Sequence, residues 1–275
     1  MRRRRENLAP VAKATARHTN PVTMEMLKAV RVASRIHQPQ SLYGLHFRMH
    51  WTKAGLIHFA AALMLTMTQQ LLLAQQTAVR QVVVLDAAHG GDDTGARLSS
   101  GKDEKTLTLA LSVRLRSLLA ARGLAVVTTR ESDKPIDADK RAEIANHAKA
   151  SLCLVLHATE SGSGIHLFTS ALAPQPPAKF PAWKTAQSAY VTRSLALAGT
   201  LNSAMSQAGL TVMLGRADLP GMDSMTCPAV AIEIAPDRSS SGAVQSEPDD
   251  TAYGARVASA IAAAVVQWTA EAHRP

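Results

Sequence analysis

The chain has 275 residues, 47% of them hydrophobic, which is enough for a full core in one large domain. Its formal charge of +9 is confined to the start: residues 1–53 carry eleven Lys and Arg against Glu6 and Glu25, and the remainder balances nineteen basic side chains with nineteen acidic ones. The part expected to fold is therefore not basic, and nucleic acid is excluded as its partner.

Residues 1–48 start with Arg2-Arg3-Arg4-Arg5 and show no period, so they read as a basic, disordered or mis-assigned extension. Residues 49–75 follow the pattern of an export signal, with Arg48 and Lys53 as the positive stretch before the apolar run Leu56 to Met67 and Ala74 before a cleavage point. The alternative is an uncleaved N-terminal anchor. The run is short for a span, being interrupted by His58 and by Thr68-Gln69-Gln70, where about 20 apolar residues are needed. A signal belongs at an N-terminus, so Met49 is the expected start of translation. The protein is expected outside the cytoplasm, periplasmic or extracellular, touching a membrane only through an uncleaved segment.

From residue 76 onward one α/β domain is expected. Val82 to Ala87 is an apolar strand, and Leu107, Leu111, Leu115 and Leu118 mark a helix from Glu104 to Arg122, stopped by Gly123. A strand over Leu124 to Thr129 precedes a helix capped by Asp137 or Asp139 that runs to Lys149. Ser151 to Leu156 and Ile165 to Phe168 are further strands. Four prolines make 171–181 a loop, and one long helix is expected over 182–207. A short strand over Thr211 to Leu214, a buried one over Ala229 to Ile234, a surface loop over 238–250 and a closing helix over 251–270 complete the order. Strands separated by helices predict a largely parallel or mixed sheet with helices on both faces. Cys153 and Cys227 sit near two strand starts, and buried free thiols are expected in preference to a disulfide.

Chemistry gathers where apolar runs end. His89 follows the first strand, His157 ends the run Leu152 to Leu156, Glu104 opens the first helix and Glu233 lies within the late strand. In α/β sheets ligands collect at the carboxyl ends of strands. Two histidines and a carboxylate suit zinc, and a further carboxylate suits proton transfer. No G-x-S-x-G elbow follows a strand, which disfavours a serine hydrolase. His166 reads as a half-exposed strand histidine. Asp86 either holds a ligand histidine or caps its loop, and Asp92-Asp93 reads as a solvated loop face.

The order and context of these motifs resemble the zinc-dependent N-acetylmuramoyl-L-alanine amidases, peptidoglycan hydrolases of the cell-division and sporulation type. Asp86-Ala87-Ala88-His89-Gly90-Gly91-Asp92-Asp93-Thr94-Gly95-Ala96 is similar to their first histidine motif, and Glu104-Lys105 to their helix-opening glutamate. Arg141-Ala142-Glu143-Ile144-Ala145-Asn146, Val155-Leu156-His157-Ala158-Thr159 and Pro228-Ala229-Val230-Ala231-Ile232-Glu233 resemble three later ones. The resemblance implies zinc held by His89, Glu104 and His157, Glu233 as general base and acid, and cleavage between N-acetylmuramic acid and L-alanine. Peptidoglycan is the implied partner, and no activator is named by the sequence. Three departures stand out: Ala88 for a glycine, which strains the turn if that position needs positive φ, Thr159 for an asparagine, and Gly164-Ile165-His166 where a glutamate-bearing strand is usual. The rival implication is a peptidoglycan-binding or regulatory protein that keeps the fold and turns over slowly or not at all.

Overall fold

Six strands form the central sheet of the computed structural model, which describes residues 58, 62–66, 81–179 and 182–271. The extension over 1–48 lies outside the described residues, as does most of the signal or anchor over 49–75. Only 58 and 62–66 of that segment are described, and they are helical. Among the described residues no helix is long and apolar enough to cross a membrane. The described residues from 81 onward form one compact unit.

In chain order the elements are β1 (Val82–Ala87), α1 (Glu104–Ala120), β2 (Ala125–Thr128), α2 (Ala138–His147), β3 (Leu152–Ala158) and β4 (Ile165–Ser170). A 3-10 helix (Trp183–Ala189) leads into α3 (Val191–Gln207), β5 (Val212–Ala217), a single turn α4 (Pro220–Asp223) and β6 (Ala229–Ile234). A small hairpin, β7 (Asp237–Arg238) with β8 (Val244–Ser246), precedes α5 (Thr251–Glu271). The strand order is β2-β1-β3-β6-β4-β5. All neighbours run parallel except β4 and β6, which are antiparallel, so the expected mixed sheet is observed.

Alternation along each strand divides the core in two. On β3, Leu152, Leu154 and Leu156 face a large cluster built by α1, α3 and α5, with Leu115, Leu201, Val257 and Ile261 fully buried in it. Cys153 and Val155 face the other side, where Ala142 and Ala145 of α2 and Met222 of α4 form a smaller cluster. Two short elements cover this second face, and the room they leave at the strand ends holds the site.

Four sequence expectations change. The helix expected over 182–207 is broken at Tyr190 (φ −114°, ψ −7°), because buried Gln187 is pulled into tertiary bonds. Its Nε2 donates to the carbonyls of Met225 and Cys227 at 3.0 Å, and its Oε1 accepts from Ser194 Oγ at 2.7 Å. The loop expected over 238–250 contains the β7–β8 hairpin. Cys153 and Cys227 are not free thiols; they form a disulfide with Cα atoms 6.1 Å apart. That bond ties β3 to the residues leading into β6, a pairing that two cysteines 74 positions apart do not announce. Ala88 carries no strain, since positive φ begins one residue later, at His89 (φ 61°).

Candidate metal centre

β1 ends at Ala87, and the carbonyls of Ala87, Ala88 and His89 turn to side chains as the chain leaves the sheet. Two buried arginines claim them. Arg141, from α2, donates to the carbonyls of Ala87 and His89, both at 2.7 Å, and Arg130 donates to those of Ala87 and Ala88 at 2.9 and 3.0 Å. Thr108 of α1 adds a bond to Ala88 O at 2.9 Å. Asp86 serves this scaffold and neither holds a histidine nor caps the loop. Its Oδ1 accepts from Arg141 Nη1 and Thr129 Oγ1, each at 2.6 Å, so a buried carboxylate and a buried guanidinium neutralise each other. The backbone at His89 is thereby fixed in a left-handed conformation that turns its imidazole back over the sheet edge.

Glu104 stands at the first turn of α1, only 5% exposed, where the helix N-terminus favours negative charge. Both of its oxygens are fully engaged. Oε1 accepts from Ala158 N at 3.0 Å and lies 2.8 Å from His157 Nδ1; Oε2 accepts from Ala96 N at 2.8 Å and lies 3.1 Å from His89 Nε2. Burial opposes charge on this carboxyl. The hydrogen bonds from the two histidines and two backbone amides outweigh it and hold Glu104 far below the usual carboxylate range. The bond with Glu104 is in turn the largest cause raising His89 above an ordinary imidazole, against burial and with help from Asp93.

His89, Glu104 and His157, the three residues that the motifs single out, offer donor atoms that all lie within 4.8 Å of one another. Two imidazole nitrogens and one carboxylate oxygen, on side chains held from three elements, match the ligand set of a zinc site that keeps a position open. The imidazoles stand edge to face with centroids 5.4 Å apart. His89 and His157 remain 22% and 32% exposed, so the cluster opens to one side. There a cavity of about 410 Å³ is lined by His89, His157, Asp93, Val155, Met222 and Ala231 among others.

Asp93 lies on the solvated loop face expected, 66% exposed, and from there its carboxylate meets His89 Nδ1 at 2.9 Å. It meets the ring at Nδ1 while Nε2 faces Glu104, which orients the imidazole. The tight loop that permits this passes Gly95 (φ 66°), where a Cβ would come within 2.6 Å of both Glu104 Oε2 and His89 Cδ2. The four-residue offset between His89 and Asp93 is the only sequence hint of the pair.

Glu233 is the register partner of His157 across β3 and β6, and His166 is the register partner of Glu233 across β6 and β4. The three side chains therefore stand in a row on the face of the sheet that carries the cavity. His166 is not the half-exposed histidine expected: it is buried, with Nδ1 2.7 Å from Glu233 Oε2. Thr159, where an asparagine was expected, accepts from Ser161 N through Oγ1 at 3.1 Å and shapes the following turn.

Fold and site together define a mixed α/β protein with a candidate metal centre at the carboxyl ends of its strands. The chain belongs to the N-acetylmuramoyl-L-alanine amidase family, whose model matches residues 83–267. Over 85 residues it is 40% identical to the amidase AmiA of Escherichia coli K12, a stretch covering 31% of this chain and 29% of AmiA. A Mycobacterium tuberculosis N-acetylmuramoyl-L-alanine amidase is 30% identical over 147 residues, 51% of this chain and 59% of that one. The solved catalytic domain of CwlV, an amidase of Bacillus (Paenibacillus) polymyxa, superposes with a TM-score of 0.55 at 27% identity, covering 69% of this chain and 98% of that domain. The match takes in under a third of AmiA's own length.

Proposed function

We propose that this protein hydrolyses the amide between N-acetylmuramic acid and the L-alanine of the stem peptide in peptidoglycan. His89, Glu104 and His157 hold zinc, and Glu233 moves the protons. The observation that carries this reading is the convergence of three donor atoms within 4.8 Å beside a carboxylate one strand away. Zinc, when bound, supplies a Lewis acid for the attacking water and the scissile carbonyl.

The chain's own residues supply the rest. Asp93 and the backbone amides of Ala96 and Ala158 fix the ligands, so little reorganisation is left for the reaction. Glu233 takes a proton from the attacking water as its oxygen bonds to the carbonyl carbon, then passes that proton to the nitrogen as the C–N bond breaks. The products are the lactyl carboxylate on the sugar and a free amine on L-alanine. The cavity, with its apolar wall of Val155, Met222 and Ala231, receives the substrate around that bond.

The disulfide supports export to the periplasm or exterior, because such bonds persist in oxidising compartments. We assign residues 49–75 to the export signal or anchor and the chain from residue 76 to the catalytic domain.

The test is dye release from labelled peptidoglycan, run with metal analysis and a chelator. Wild type is expected to carry one zinc per chain and to release dye in a chelator-sensitive way, and Glu233→Gln to keep zinc and lose hydrolysis. Zinc at one per chain without chelator-sensitive release would favour the binding or regulatory reading.

A further inference from the structure

We propose that His166 is the positioning residue for Glu233. It holds one carboxylate oxygen so that the other stays aimed at the cleft. This rests on Glu233 being the proton-transfer group. The sheet sets the pair: Glu233 lies between His157 on β3 and His166 on β4, all on one face. His157 faces the metal centre, and His166 backs Glu233 from the opposite side.

The imidazole is held too tightly to be a casual neighbour. Its side chain is 8% exposed against 30% for Glu233, so the histidine is buried behind the more open carboxylate. A Cβ on Gly162 (φ 81°) would lie 2.5 Å from His166 Cε1 and 2.8 Å from Nε2, so the glycine backbone rests directly on the far edge of the ring. That turn is clamped by Arg238, whose Nε donates to Gly162 O at 3.1 Å and whose backbone N donates to Ser163 Oγ at 3.2 Å. Phe168 closes another side, ring edge toward ring with centroids 6.3 Å apart. A swing of the imidazole would collide with backbone.

The hydrogen bond has one direction. An ionised carboxylate only accepts, so the proton resides on His166 Nδ1, whether the ring is neutral or charged. Oε2 of Glu233 is engaged at 2.7 Å, and among the described residues Oε1 has no such bond. A glutamate side chain has three rotatable bonds, and fixing one oxygen removes most of that freedom before substrate arrives. General-base transfer needs that oxygen within hydrogen-bond reach of the attacking water, so the restraint acts on the chemical step and not on substrate affinity.

The experiment compares His166→Leu with His166→Asn in the zinc-loaded full chain, recording kcat, KM, zinc content and Tm. The leucine fills the space without a donor, whereas the asparagine amide can place an N–H where Nδ1 was. The expected result is a fall in kcat of about 10- to 100-fold for His166→Leu, with KM and zinc content near wild type, and recovery of most of that loss in His166→Asn. A packing role predicts the reverse order, and that order overturns the proposal. Should His166→Leu fail to fold, the His166 Nδ1-bound proton is observed by NMR in wild type. Expected is a downfield resonance that disappears in Glu233→Ala, and its absence from wild type overturns the pairing. Full hydrolysis by Glu233→Gln, or none by zinc-loaded wild type, would overturn the mechanism and this proposal with it. Loss in Glu233→Gln with wild-type kcat in His166→Leu would overturn the positioning role alone.

Discussion

Replacing both Cys153 and Cys227 by alanine releases a loop of 74 residues in the unfolded chain. The chain-entropy relation for a loop of that size gives about 4.4 kcal/mol of stabilisation by the bond. Unfolding entropy of roughly 2.1 cal/mol/K per residue, taken over the folded part of the chain, comes to ~0.4 kcal/mol/K, so the double variant should melt ~10 °C lower. Both side chains are buried, at 0% and 1% exposure, and reductant should reach them only after the domain opens. Differential scanning calorimetry of wild type and variant at equal zinc checks the shift. A thiol assay in denaturant without reductant should find no free sulfhydryl in wild type. Two titratable thiols would refute the bridge, and melting points within about 2 °C would refute the entropy argument. Below its melting point the variant should keep its activity, because neither sulfur lines the cavity and the β3–β6 ladder carries the register of His157 and Glu233 by itself.

Two further substitutions probe the scaffold under the site. Gly95→Ala should weaken zinc binding more than about tenfold in a calorimetric titration, since its methyl would press on both Glu104 and His89 at a position where φ is 66°. Unchanged affinity would mean that the loop does not hold the ligands. Arg141→Met should cost about 3–5 kcal/mol in urea unfolding, because it strands the Asp86 carboxylate, only 3% exposed, and removes the donor to the His89 carbonyl. A loss below about 1 kcal/mol would show that the Asp86–Arg141 pair is dispensable to the fold.

The order of strands and helices was legible because burial leaves a local period. The apolar run at β1, the leucines of α1 and the late strand Ala229–Ile234 each carry their own evidence of which face is inward. The candidate ligands were legible for a related reason: His89 and His157 sit where a strand's period stops, Glu104 where a helical one starts, and strand ends in α/β sheets share one edge. What no local pattern holds is the partner of a side chain. His166 follows the alternation of β4 whatever stands beside it, and only the antiparallel register of β4 with β6 sets it against Glu233. Asp93 becomes a prop for His89 through a turn whose shape depends on two arginines from β2's end and α2. Gln187 breaks a helix that its own neighbourhood favours, because carbonyls near residue 226 need a donor. The cysteines pair across 74 residues because the register of β3 with β6 brings them together. Periodicity determined which apolar faces turn inward and in what order the elements come. Tertiary contact decided which buried groups meet, since hydrogen bonds and disulfides are short-ranged in space and indifferent to distance along the chain.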